Sequence, residues 1–168
     1  MQSRAAIGWS MGLAALLAGA MAWADGNVNQ ANKYAWAANA GWLNFSPANG
    51  GVTVNASGGY LAGCAWGENI GWVKLGSGIG PYINTGASNW GINMNGSGNL
   101  SGYAWSPNVG WINFHPNNAS PVTIDPATGQ FAGYAWSENC GWIHFRNASP
   151  AYGVSTTPFG LGCVIMVQ

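Results

Sequence analysis

The sequence predicts an all-β protein of four repeated three-stranded antiparallel units, arranged like a propeller or as stacked sheets. Three observations predict it: an aromatic phrase occurs four times, short β-branched runs precede three of the copies, and turn residues separate them. The phrase reads KYAWAANAGWLNF at 33–45, GCAWGENIGWVKL at 63–75, GYAWSPNVGWINF at 102–114 and GYAWSENCGWIHF at 133–145. Its first tryptophans are Trp36, Trp66, Trp105 and Trp136, at intervals of 30, 39 and 31 residues. The longest interval holds a Gly-rich insertion, GSGIGPYINTGAS.

Each element has a local reason. The runs GVTVN (51–55), WGINMN (90–95) and PVTID (121–125) are β-branched or aromatic, and each ends in a Gly-, Asn- or Pro-rich joint. Within a phrase, YAW and WINF read as two strands joined by the turn xNxG. Asn39, Asn69, Asn108 and Asn139 each stand two residues before Gly41, Gly71, Gly110 and Gly141. Asn bonds its own backbone in turns and Gly accepts a positive φ, so these residues are expected to make the turns.

Side chains alternate along a strand, so Tyr134 and Trp136 share one face and Ala135 the other. Trp142 and His144 likewise oppose Ile143 and Phe145. Both faces read as apolar, and a sheet apolar on both faces is expected to be covered on both. The first copy lacks a lead-in strand, while the chain closes with AYGVSTTPFGLGCVIMVQ. The tail is therefore expected to pair with the sheet of Trp36 and Trp42 and close the ring.

Residues 1–24 read as a secretory signal peptide, with Arg4 at the start, the apolar run MGLAALLAGAMA and AWA ending at Ala24. The remainder, 25–168, reads as one secreted domain, extracellular or at the outer cell surface. Its copies lie near 31–47, 51–77, 89–116 and 121–147, and its tail at 151–168. It has no apolar run long enough for a membrane span. Lys33, Lys74 and Arg146 against Asp25, Glu68, Asp125 and Glu138 leave a net charge of −1. So few cations give no phosphate-binding footprint, which argues against nucleic acid. So weakly charged a surface also does little to repel copies of itself, which suits self-association into a surface layer or filament.

Catalytic motifs are lacking. No nucleophile elbow, P-loop or H-E-x-x-H occurs. Glu68 and Glu138 share a turn position that Ala38 and Pro107 fill in the other copies, so they read as exposed turn residues. Of three cysteines, Cys64 replaces a strand tyrosine and is expected to be a packed thiol. Cys140 and Cys163 are the expected disulfide, tethering the tail and contributing about 3 kcal/mol.

The tryptophans admit two readings. Eight form matched pairs: Trp36 and Trp42, Trp66 and Trp72, Trp105 and Trp111, Trp136 and Trp142. The simpler reading packs them between units. The functional one makes them a row of platforms for sugar rings, with Asn44 and Asn113 beside them and repetition supplying avidity. The only two histidines, His115 and His144, lie on or next to the second strand of consecutive copies, His144 on the face of Trp142. Two imidazoles with an aromatic neighbour suit copper better than calcium or magnesium.

The repeated GYAWS-x-N-x-GW-I-x-F, with lead-ins such as GINMNGSGNLSGYAW, resembles surface-associated copper-binding proteins of methane-oxidising bacteria. The resemblance implies a copper site of two histidines and a tryptophan oxidised to kynurenine two residues before a histidine. Trp142-Ile143-His144 has that spacing, and His115 enters as second ligand by scarcity. Copper is thus the first-choice ligand of a non-enzymatic binding protein, an extracellular glycan the second, and self-assembly the third role.

Overall fold

The computed structural model describes residues 27–117 and 120–159. The proposed signal peptide and Cys163, with its expected bond to Cys140, lie outside these residues. β1 (Val28–Ala37) and β2 (Gly41–Asn44) form the first hairpin, and β3 (Gly51–Asn55) leads into the second, β4 (Tyr60–Gly67) with β5 (Gly71–Lys74). β6 (Ile92–Met94) leads into β7 (Leu100–Ser106) and β8 (Gly110–Asn113). The short ladder of β9 (Thr123–Ile124) and β10 (Phe131–Ala132) precedes β11 (Tyr134–Ser137) and β12 (Gly141–His144). β13 (Arg146–Ala148) and β14 (Ala151–Thr156) follow. The described chain is all-β.

The hairpins do not form separate sheets. They join edge to edge into one closed antiparallel barrel of eight strands, β1-β2-β4-β5-β7-β8-β11-β12 and back to β1. This corrects the expected propeller or stack. The closing contact is also corrected: β12 closes the ring on β1 through Trp36 opposite His144, and the tail does not. The tail does pair where expected, β14 lying against the first half of β1 with Val28 opposite Thr156 and Lys33 opposite Val154. There it takes the place that β3 takes on β4 and β6 on β7.

The ring closes because of a regular register shift. Inside each hairpin the two tryptophans are partners. Between hairpins, the first tryptophan meets the residue two beyond its neighbour's second tryptophan: Asn44–Trp66, Lys74–Trp105, Asn113–Trp136 and His144–Trp36. Four such two-residue steps stagger one circuit by eight residues over eight strands. A barrel of that size has an interior just wide enough for side chains to fill.

Those side chains are small on one strand of each hairpin and branched on the other. Ala35, Ala65, Ala104 and Ala135 face Leu43, Val73, Ile112 and Ile143, all buried. Ala40, Ile70, Val109 and Cys140, also buried, sit in the four turns at one end. At the other end Phe45, Phe114, Phe131 and Phe145 pack together under the lead-in strands, with Phe145 5.3–5.8 Å from each of the others. The lead-ins contribute Val52, Ile92, Val122 and Val154, each donating its N–H to the carbonyl that follows the second strand of the preceding hairpin. That recurrent bond is why each lead-in crosses the barrel end at the same place. The crossing explains the Gly of the phrase: a Cβ on Gly63, Gly102 or Gly133 would overlap the carbonyl of Gly51, Gly91 or Pro121.

Candidate functional site

The face opposite the alanines is open. Seven of the eight paired tryptophans keep 37–45 % of their surface exposed, and Trp105 is half-buried. The expectation that both faces are covered, and with it the packing of the pairs between units, is therefore overturned. Within a pair the indoles meet edge to face or tilted, with centroids 4.7–4.9 Å apart. Each pair thus stiffens itself and still presents ring surface to solvent.

The turns that frame this belt are tied to one another. Asn69 donates through Nδ2 to the carbonyl of Ala40, Asn108 to Ile70 and Asn139 to Val109, at 3.0–3.1 Å. At the last seam the backbone does the same work, Asn39 N–H donating to the Cys140 carbonyl at 3.0 Å. Asparagine amides were expected to bond their own turns; instead three of them join one hairpin to the next. That function has no signal in a single copy, because its partner lies about 30 residues away in the chain. Gly41, Gly71, Gly110 and Gly141 have φ of +69° to +77°, as the turn requires.

The belt is widened at two places. Trp42 is flanked by Tyr34 at 6.1 Å and 70°, and by Tyr152 of β14 at 5.1 Å and 84°. Tyr34, Trp42, Tyr152, Ala151 and Glu68 line a recess of about 320 Å³. Two hairpins further round, Trp111 is flanked by Tyr103 at 6.1 Å and 73°, and by Trp90 at 5.2 Å and 85°. These three rings, with Asn84, Gly86 and Ala87 of the Gly-rich insertion, line a second recess of about 360 Å³. An adjoining groove of about 480 Å³ shares Tyr103 and Trp111 and carries Trp105, Trp136, Asn113 and Glu138. Sequence reasoning singled out Trp42 and Trp111 but missed Trp90, Tyr34, Tyr103 and Tyr152. The available signal was Trp90, the one tryptophan after residue 24 outside the pairs.

The copper candidates are placed as follows. His144, on β12, stacks on Tyr134 with centroids 4.3 Å apart and 7° between planes. Its Nδ1 lies 2.9 Å from the Tyr152 hydroxyl, which donates to it in the Nε2-protonated tautomer. Burial pulls the His144 pKa below its ordinary value, favouring the neutral ring. Trp142 is two residues away on the same outward face. His115 is exposed just beyond β8, its N–H donating to Asn113 Oδ1. β11 lies between β8 and β12, so about two strand spacings, roughly 10 Å, separate the strands that carry the two imidazoles. Among the described residues no three His, Cys, Asp or Glu side chains come together as a metal-holding group.

Cys64 is half-buried beside Lys74, its strand partner, and burial raises its thiol pKa. Cys140 is fully buried in its turn, where burial likewise raises the thiol while the Ser137 hydroxyl opposes the shift. Glu68 and Glu138 stand in the turns of the second and fourth hairpins, with a whole hairpin between them either way round the ring. No helix among the described residues is long and apolar enough to cross a membrane. Comparison with protein families, with curated proteins and with solved structures finds no match for this chain.

Proposed function

We propose that the protein is a secreted, non-enzymatic binding protein whose aromatic belt takes the sugar rings of an extracellular glycan. One observation supports this reading above the others: seven large indoles face solvent on a rigid barrel, where burying them would have been favourable by about 1.5–3 kcal/mol each. A soluble domain rarely leaves so large an apolar surface uncovered unless something docks there. Sugars have one apolar face for the indole and a hydroxyl rim for Asn44 and Asn113, which alternate with the tryptophans. The two glutamates are too widely separated on the ring for paired carboxylate chemistry, which needs them about 5–10 Å apart.

Affinity electrophoresis in neutral soluble polysaccharides tests the reading. Retardation is expected for the wild type, and it should fall in Trp72→Ala while the melting temperature moves little. Migration unaffected by every neutral polysaccharide would end the glycan reading.

Copper remains the second reading, on the neutral His144 imidazole next to Trp142. We take His144 as the principal ligand, because about two strand spacings separate the strand that carries it from the one that precedes His115. His144→Asn, the residue of the first and third copies at that place, is then expected to abolish tight Cu(I) binding with the fold intact. His115→Asn should leave it unchanged. Equal copper affinity in wild type and His144→Asn would remove the copper reading.

A further inference from the structure

The outward face repeats every second hairpin, although the barrel repeats every hairpin. The residue two before the lead-in valine or isoleucine is Gly50, Trp90, Ser120 and Tyr152 in turn. Trp90 and Tyr152 stand perpendicular to Trp111 and Trp42, whereas Gly50 merely lies against the Trp72 ring. The turn residue opposite each second tryptophan alternates as well. Continuing the register that pairs Leu43 with Gly67 sets Glu68 opposite Trp42, and the register of Trp136 with Asn113 sets Glu138 opposite Trp111. The other two tryptophans meet Pro107 and Ala38 at this place. Aromatic third wall and carboxylate thus coincide at the same two tryptophans, on opposite sides of the ring.

We propose that these two recesses are aromatic cages for an alkylammonium group, quaternary or methylated. In each, the faces and edges of three rings enclose a small volume; Glu68 lines the first recess, and Glu138 lines the groove that adjoins the second across Tyr103 and Trp111. Ring quadrupoles attract a cation, and an alkylated ammonium gives up little hydration to enter. A metal ion would find a single carboxylate and no further strong donor. A neutral sugar would use the carboxylate only as a hydroxyl acceptor, whereas an alkylammonium draws on its charge, and the neutral analogue separates the two. The protein already makes the interaction on a small scale: Lys33 Nζ sits 5.7 Å from the Tyr34 centroid, steadied by Gln30 Oε1 at 3.0 Å. At the second cage the equivalent residue is Gly102, which has no side chain to compete, so the Trp111 cage is the tighter. Asn69 and Asn139, bonded to the neighbouring turns, hold the residues next to Glu68 and Glu138, and His144 holds the Tyr152 hydroxyl.

The cation could arrive as a free solute or as the headgroup of a phosphocholine lipid, and both present the same trimethylammonium. The test titrates the full chain with tetramethylammonium and choline, followed by tryptophan fluorescence and by NMR. The neutral tert-butyl analogue of choline serves as shape control. Saturable binding at two sites, weakened about tenfold for the neutral analogue and in Glu138→Gln, is the expected result. Glu68→Gln should weaken only the weaker site. Flotation with phosphatidylcholine vesicles, reversed by choline, would assign the headgroup as source, and its absence alongside choline binding would assign a free solute. The absence of saturable choline binding would overturn the proposal, as would equal binding of the neutral analogue or unchanged binding in the Trp42→Ala, Trp111→Ala protein. Polysaccharide retardation of the same samples reports the glycan reading separately, since the cages do not depend on it.

Discussion

Deleting residues 151–168 is expected to make the barrel aggregate. The cut removes β14 and with it the partner of the first half of β1. It also removes Val154, buried at the Phe145 end, and the hydroxyl of Thr156, which donates to the Asn27 carbonyl at 3.0 Å. A buried valine is worth about 1.5–3 kcal/mol and each ladder bond about 1 kcal/mol, so the loss is roughly 5 kcal/mol, a large share of an ordinary domain's stability. What remains has an unpaired edge along residues 28–33, which can template pairing with another chain. Size-exclusion chromatography and thermal melting decide: a truncated protein that runs as a monomer and melts like the full chain would show that β14 is decoration.

The second large effect concerns which aromatic residues hold the barrel together. Phe145→Ala is expected to cost about 3–5 kcal/mol and to lower the melting temperature by about 10–20 °C. Phe145 is fully buried and touches Phe45, Phe114 and Phe131, so its loss opens a cavity that cannot collapse without moving three lead-in strands. Trp142→Ala, three residues away on the outward face, should cost far less despite removing a larger ring, because solvent already covers 37 % of it. Equal melting losses for the two would mean that the belt and not the interior carries the fold.

This contrast marks where the sequence was legible. The hairpins were readable, because Gly and Asn punctuate the phrase and period-two alternation divides its faces. The tail's place on β1 was readable from the missing lead-in. The expectation that both faces are covered failed, since an exposed aromatic surface reads like a core. The better signal was size: an alanine between every Tyr or Cys and Trp suits the crowded axis of a small barrel and nothing on a surface. The choice of barrel over propeller was not readable. It depends on a two-residue offset between hairpins, held by backbone bonds and by asparagine amides whose partners lie in another copy. Glu68 and Glu138 looked like idle turn residues for the same reason, as their place beside Trp42 and Trp111 exists only across a seam.

The seam between β12 and β1 has a consequence for how such a chain can be cut. It carries the same Trp-to-polar pairing as the three seams inside the chain, and Val28 and Thr156 are ladder partners beside it. The barrel therefore has no privileged first hairpin. Splicing the chain near those two residues and reopening it at the exposed residues 85–88 of the insertion yields a circular permutant that retains every ladder of the barrel. Each hairpin is interchangeable in connectivity, so duplication or loss of copies is restricted by the circumference of the ring and not by the order of the chain.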